Sequence, residues 1–174
     1  MYLFPHNRLW QADFEREKQA ILSAFCGAIE VFHIGSTAIK GLYAKDCIDV
    51  LAVVDDMSSV APSKQQLIDL GYVYKGEYGI AGRQYFSKPQ AASQSNQQGK
   101  QQGKQQRKTH LHIYQAGDEQ IDKHLHFVKV MRGNSALIAE LNQLKRSLAA
   151  KYPNDKEAYQ MHKKCFYDRL NCAK

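Results

Sequence analysis

Residues 30–54 constrain the fold of this chain more than any other segment, because they contain two strand-like runs separated by a glycine turn. The first run, Glu30–Ile34, is rich in β-branched and aromatic side chains, and the second, Cys47–Val54, is almost continuously apolar. A run of the second kind is typical of a strand that is covered on both faces of a sheet. We therefore predict two strands here, the second of them central.

Asp49 is the exception in the second run. A carboxylate in an apolar strand has to pair with a base, bind a metal ion or change its pKa, because burying an unpaired charge is costly. The turn before this strand contains Gly35 and Ser36, and a residue without a Cβ beside a hydroxyl lets the backbone approach an oxyanion closely. A glycine-serine turn is also a common helix cap, so the turn alone does not define a phosphate site.

Hydrophobic periodicity predicts helices before and after these strands. Apolar residues at steps of four and seven indicate a first helix over residues 9–29, and a shorter helix ends before Gly71. Three further helices are predicted at residues 119–132, at residues 135–152 and from Asn154 onward. The inward stripe predicted for the last helix consists of Tyr159, His162, Phe166 and Leu170.

Three short runs complete the predicted sheet. Residues 72–74 and 83–87 are rich in aromatic side chains and are connected through a glycine-rich turn, which predicts an antiparallel pair. Residues 109–115 alternate in polarity and place His110 and His112 on one strand face. The predicted fold class is α+β, with a mixed β-sheet, an N-terminal helix and a C-terminal three-helix segment.

Residues 90–108 contain no large apolar side chain and repeat the pattern Gln-Gln-Gly-Lys. Ordering them would cost about 1–2 kcal/mol of backbone entropy per residue without burial in return, so we predict a disordered loop within a single domain. Four of the basic residues behind the formal net charge of +7 lie in this loop. Because the loop has no aromatic side chain to stack on a base, a nucleic-acid partner is not expected.

The four cysteines form no Cys-x-x-Cys pair and have apolar neighbours, which predicts buried free thiols in a reducing compartment. No apolar run approaches the roughly 20 residues that a membrane-spanning helix needs. The N-terminus also lacks the basic and apolar regions of a signal peptide. We therefore expect a cytoplasmic protein without a membrane partner.

The histidine pair at residues 110 and 112 is a further candidate site. Two imidazoles that lie two residues apart on one strand face have the spacing of metal ligands, and either could act as a base. Histidines on the surface of a protein are also common. The pair therefore carries weight only together with other chemical groups.

Four separated blocks of the sequence resemble the GrpB family, whose members also occur fused to dephospho-CoA kinase. The blocks are residues 33–49, 82–86, 109–112 and 144–159. The resemblance extends over most of the chain and leaves the glutamine-rich loop as an apparent insertion. It implies the nucleotidyltransferase superfamily fold, in which the glycine-serine turn faces a triphosphate and strand carboxylates hold magnesium.

The sequence departs from that superfamily pattern at its acidic residues. The pattern has two acids separated by one residue, because two Mg²⁺ ions need bridging carboxylates, but Leu51 follows Asp49 at the second acidic position. Histidine at position 110 or 112 then replaces the third carboxylate. The predicted catalytic and metal-binding set is Asp49, His110 and His112 around one divalent ion, and this set favours Zn²⁺ or Mn²⁺ over an oxygen-only Mg²⁺ site.

The predicted partner is a nucleotide or another phosphorylated small molecule. Its phosphates are expected to bind Gly35 and Ser36, with Lys45 and Arg83 as the neutralising cations. The implied reaction is nucleotidyl transfer, or phosphoester hydrolysis with a single metal ion. The leucine at position 51 favours the alternative of a non-catalytic protein that uses the pocket to bind a nucleotide or a partner protein.

Overall fold

The structure is a computed structural model that describes residues 2–90 and 107–172 of the chain. Its helices are α1 (Leu9–Ala24), α2 (Val60–Asp69), α3 (Glu119–Met131), α4 (Ser135–Lys151) and α5 (Lys156–Cys172). Its strands are β1 (Glu30–Ile34), β2 (Cys47–Val54), β3 (Val73–Tyr74), β4 (Gln84–Lys88) and β5 (Lys108–Gln115). The order of elements along the chain is the predicted one. Most of the loop predicted at residues 90–108 lies outside the described residues, but Lys108 already belongs to β5.

The five strands form one mixed sheet with the order β1-β2-β5-β4-β3. β2 and β5 are parallel, and every other neighbouring pair in this sheet is antiparallel. The predicted antiparallel pairing of β3 with β4 is confirmed. β2 is an inner strand, as predicted, and its register places Asp49 between Ile34 of β1 and His110 of β5.

Helices cover both faces of the sheet, which explains why β2 is almost continuously apolar. Ile48 and Val50 pack with α1 and α2 on one face, whereas Leu51 packs with α3, α4 and α5 on the other. Burying a side chain of this size stabilises the fold by about 1.5–3 kcal/mol. Asp49 lies on the same face of β2 as Leu51, so it faces the C-terminal helices.

Three predictions about this architecture are wrong in detail. α1 ends at Ala24 instead of residue 29, because Phe25 is already extended. Cys26 and Cys165 are exposed instead of buried, although no disulfide occurs among the described residues. His162 is exposed and stacks on Tyr152, with 5.1 Å between the ring centroids, instead of facing inward.

The described helices include none that is both long and apolar enough to cross a lipid bilayer.

Candidate functional site

A pocket with a volume of about 480 Å³ lies at the N-terminal ends of β2 and β5. The turn after β1 and helices α4 and α5 enclose it. Ser36, Cys47, Asp49 and His110 line one side of it. Its basic lining residues are Lys45, Lys108, Lys145, Lys156 and Lys163. Five lysines but only two carboxylates, those of Asp46 and Asp49, are among the described residues that line the pocket. The pocket is therefore suited to a ligand with several negative charges.

Asp49 and His110 are paired within this pocket. They are direct neighbours in the parallel register of β2 and β5, and His110 Nδ1 donates a hydrogen bond to Asp49 Oδ1 over 3.1 Å. Burial raises the pKa of Asp49, but the hydrogen bond from His110 and the surrounding positive charges outweigh burial, so this pKa lies below its usual value. Asp49 is therefore ionised at neutral pH.

Gly35 allows the turn after β1 to touch this carboxylate. Its φ angle of +72° lies in the region that favours glycine, and a Cβ added to it would lie 2.6 Å from Asp49 Oδ2. Real Cβ atoms do not approach an oxygen this closely. The glycine is thus required by the position of Asp49 and not only by the turn.

Lys145 of α4 reaches Ser36 from the opposite side of the pocket. Its ammonium group donates hydrogen bonds to Ser36 Oγ and to the carbonyl oxygen of Tyr43, each over 2.7 Å. The residue is only 2% exposed, and burial together with the charge of Lys163 lowers its pKa to about 7. Because the lysine donates to Oγ, the hydroxyl hydrogen of Ser36 is directed to another acceptor, and the hydroxyl of Tyr167, which is also hydrogen-bonded to Ser36, is one such group.

Lys163 of α5 occupies the inward position that the sequence analysis assigned to His162. Burial lowers the pKa of Lys163, while the negative charge of Asp49 raises it. Neither Lys145, which is buried, nor Lys163, which is half-buried, was predicted as a site residue, although their spacing contains a signal. Lys145 follows the buried Leu141 by four residues, and Lys163 follows the buried Tyr159 by four, so each lies on an apolar stripe.

The predicted phosphate-binding residues divide into two groups. Ser36 and Lys45 line the pocket, and Gly35 supports it from the turn. Arg83 is buried outside the pocket lining, and its guanidinium donates to the carbonyl oxygens of Glu77 and Tyr78. The structure therefore gives Arg83 a role in holding the turn before β4.

His112 is separated from the other two predicted ligands. Its Nδ1 atom lies 3.2 Å from a guanidinium nitrogen of Arg83, and its ring packs 5.7 Å from that of His124. Burial lowers the pKa of His112 to about 3, with the positive charges of His124 and Arg83 adding to the effect and the negative charge of Asp49 opposing it. The imidazole is therefore neutral and accepts a hydrogen bond from Arg83.

Cys47 lies beside Asp49 and His110, where His112 was expected. One ligand atom each from Cys47, Asp49 and His110 lies within 4.8 Å of the other two. A thiol, a carboxylate and an imidazole suit a transition metal ion, whereas Mg²⁺ prefers oxygen ligands only. Leu51, at the second acidic position of the two-metal pattern, is 0% exposed and packs in the apolar core. These residues thus fit one divalent ion and do not fit a pair of magnesium ions.

This sheet, with helices on both faces and a charged pocket at one end, has the fold of the nucleotidyltransferases. A crystal structure of Cid1 poly(U) polymerase with bound MgGTP matches with a TM-score of 0.52 and 12% identity, covering 91% of this chain and 50% of Cid1. A structure of Cid1 with its short product ApU matches with a TM-score of 0.53. At this level of identity the likeness concerns the fold alone.

The chain belongs to the GrpB family, since the family model described as GrpB protein matches residues 1–172. The crystal structure of conserved protein GrpB from Enterococcus faecalis has a TM-score of 0.79 and 29% identity, covering 97% of this chain and 96% of that one. Glutamate-rich protein GrpB of Alkalihalophilus pseudofirmus is 30% identical over 172 residues, which are 97% of this chain and 92% of the relative. UPF0157 protein YqkA of Bacillus subtilis is 34% identical over 88% of this chain, but the match spans only 41% of YqkA.

Proposed function

We propose that this protein binds the phosphate groups of a nucleotide in the lysine-rich pocket and transfers a nucleotidyl group with the help of one divalent ion. The observation that carries this proposal is the meeting of five lysines with Ser36 and Asp49 in one pocket. A nucleoside triphosphate supplies the several negative charges that such a pocket needs. The nucleotidyltransferase fold, in which Cid1 binds MgGTP, supports the same class of ligand.

The proposed roles follow from the position of each side chain. Ser36 donates its hydroxyl hydrogen to a phosphate oxygen, because Lys145 already donates to the oxygen of that hydroxyl. Lys145 and Lys163 neutralise phosphate charge from the helical side of the pocket. A divalent ion, held by Asp49 and His110, would polarise a phosphoryl oxygen beside them.

The buried leucine at position 51 supports a second candidate function. Two-metal nucleotidyl transfer needs more than one carboxylate, and Asp49 is the acid that this face of β2 presents to the pocket. A protein that only binds the nucleotide would need the lysines and the turn but not a second acid. Hydrolysis of a phosphoester by one metal-activated water is the third possibility within the same ligand class.

The test is to incubate the purified protein with each labelled nucleoside triphosphate and Mg²⁺, Mn²⁺ or Zn²⁺. The Asp49→Asn variant is compared with wild type, and Asp55→Asn, which changes an exposed aspartate just after β2, is the matched control. We expect wild type and the control to bind and consume one triphosphate and Asp49→Asn to bind it without turnover. Binding without turnover in wild type would select the non-catalytic function, and absence of both would overturn the proposal.

A further inference from the structure

We infer that Cys47, Asp49 and His110 form a mononuclear transition-metal site in which the Cys47 thiolate, and not His112, is the third protein ligand. The inference deepens the proposed function by naming the class of metal ion. It rests on that function only for the phosphate oxygen that would complete the coordination shell. The metal ion itself can be tested without any nucleotide.

The strand geometry brings the three ligand atoms together. Cys47 and Asp49 are two residues apart on β2 and therefore share one face, and His110 is the register neighbour of Asp49 on β5. Zinc bonds to sulfur and nitrogen are about 2.3 and 2.1 Å long, so two such ligand atoms of one tetrahedral zinc ion lie about 3.6 Å apart. The separations in the metal-free site are all within 4.8 Å, so each has to shorten by no more than about 1 Å when the ion binds.

The surroundings of His112 explain why it is left out. Its Nδ1 atom accepts a hydrogen bond from Arg83, whose guanidinium is always charged and would repel a metal cation beside it. The ring centroids of His110 and His112 are also 6.5 Å apart.

Among the described residues Cys47 has no hydrogen bond to a cationic side chain: its thiol makes a long contact of 4.0 Å to the carbonyl oxygen of Ile48. Burial and the charge of Asp49 raise the pKa of the Cys47 thiol, while the charges of Lys108 and Lys45 lower it, so the thiol loses its proton only when the metal ion binds.

The donor set and the pocket together indicate the kind of ion and its open position. Thiolate, imidazole and carboxylate ligands select Zn²⁺ and similar transition metals, and sites with three protein ligands keep a fourth position for water or substrate. All three ligands line the lysine-rich pocket, so the fourth position opens toward it. Binding transfers the proton of the Cys47 thiol to solvent as the metal-sulfur bond forms.

The lysines around the metal site should couple the binding of the metal ion to the binding of polyphosphate. Their positive charges oppose a cation while the pocket is empty, and an anion that neutralises them removes this opposition. Metal ion and polyphosphate should therefore bind with positive coupling, and the coupling must be reciprocal. Inorganic triphosphate is sufficient as a probe because the argument concerns charge alone.

The experiment is a titration of the reduced, metal-free protein with Co²⁺, followed by absorption spectroscopy. A thiolate ligand produces a near-ultraviolet charge-transfer band that imidazole and carboxylate ligands do not produce. We expect this band to saturate at one Co²⁺ per chain in wild type, in His112→Gln and in Cys165→Ser, which changes an exposed cysteine as the matched control. Cys47→Ser and Cys47→Ala should both lose the band.

Equilibrium dialysis with Zn²⁺ gives the matching affinities. Both Cys47 variants should bind Zn²⁺ more than about 10-fold more weakly, because losing even an outer partner of a metal ligand costs 10- to 100-fold. A band that survives in both folded Cys47 variants, or a His112→Gln variant that loses Zn²⁺ affinity as strongly, would overturn the assignment. Triphosphate binding measured in the presence of a chelator separates the two proposals: if it persists while wild type shows no band, only the metal site is wrong.

Discussion

Gly35 and Asp49 illustrate how single residues determine this site. The sequence singled out both, as a turn glycine and as an acid in an apolar strand, but their contact depends on the register of β1 with β2.

Lys145 and Lys163 were not predicted as site residues, for a different reason. A lysine on a helix is normally solvated, so periodicity assigns it to the outer face unless its position on an apolar stripe is given more weight.

The substitution Gly35→Ala should abolish triphosphate binding and destabilise the fold. An added Cβ would lie 2.6 Å from Asp49 Oδ2, and the φ angle of +72° costs a further 1–3 kcal/mol or so for a residue with a side chain. Gly133→Ala is the control, because its φ of +79° is similar but an added Cβ meets nothing within 4 Å among the described residues. Chemical denaturation and calorimetric binding measure the two effects.

Equal losses of stability in the two variants, with unchanged triphosphate affinity for Gly35→Ala, would show that the turn does not need to approach Asp49.

The lowered pKa of Lys145 predicts that the protein takes up a proton when a polyanion binds. Its pKa of about 7 means that the amine is mostly neutral at pH 8 in the free protein, and a bound polyanion raises that pKa and recharges the group. Calorimetry in buffers of different ionisation enthalpy should therefore show more proton uptake at pH 8 than at pH 6. In Lys145→Met the uptake at pH 8 should fall, and an unchanged uptake would exclude Lys145 from the phosphate site.

At the scale of elements, the helices and strands were predictable and their mutual placement was not. Apolar and β-branched composition located β1 and β2 at their observed bounds, and periodicity located the C-terminal helices to within a few residues. Neither signal could predict that α4 and α5 pack over the N-terminal ends of β2 and β5, because that arrangement depends on contacts between residues about 100 positions apart. The pocket exists only through such contacts.

Helix α5 offers a direct test of this arrangement, because adjacent lysines point in different directions. Lys163 lines the pocket, whereas Lys164 is exposed and pairs with Asp168 over 2.7 Å. A charge-assisted hydrogen bond contributes about 1.5–3 kcal/mol, so Lys163→Met should weaken triphosphate binding roughly 10- to 100-fold. Lys164→Met should leave the affinity within about 2-fold of wild type. Similar effects of both changes would indicate a diffuse electrostatic attraction instead of a defined site.

For the whole molecule, the resemblance of four sequence blocks was sufficient to predict both the family and the nucleotidyltransferase-like fold. The family match over residues 1–172 and the similarity to Cid1 confirm this prediction. The ligand set that we propose was harder to predict, since Cys47 resembled an ordinary strand residue and His112 shared the face of His110. Our proposal of Cys47 over His112 rests on the hydrogen bond between Arg83 and His112 and on the closeness of Cys47 to Asp49 and His110.

The central claim is that the phosphates of a nucleotide bind between the Gly35-Ser36 turn and the lysines of α4 and α5. A crystal structure of the protein with a non-hydrolysable nucleoside triphosphate and Mn²⁺ tests it most directly. We predict phosphate oxygens within hydrogen-bonding distance of Ser36 Oγ and of the ammonium groups of Lys145 and Lys163. A nucleotide bound elsewhere on the molecule, or an empty pocket at saturating nucleotide, would contradict the claim.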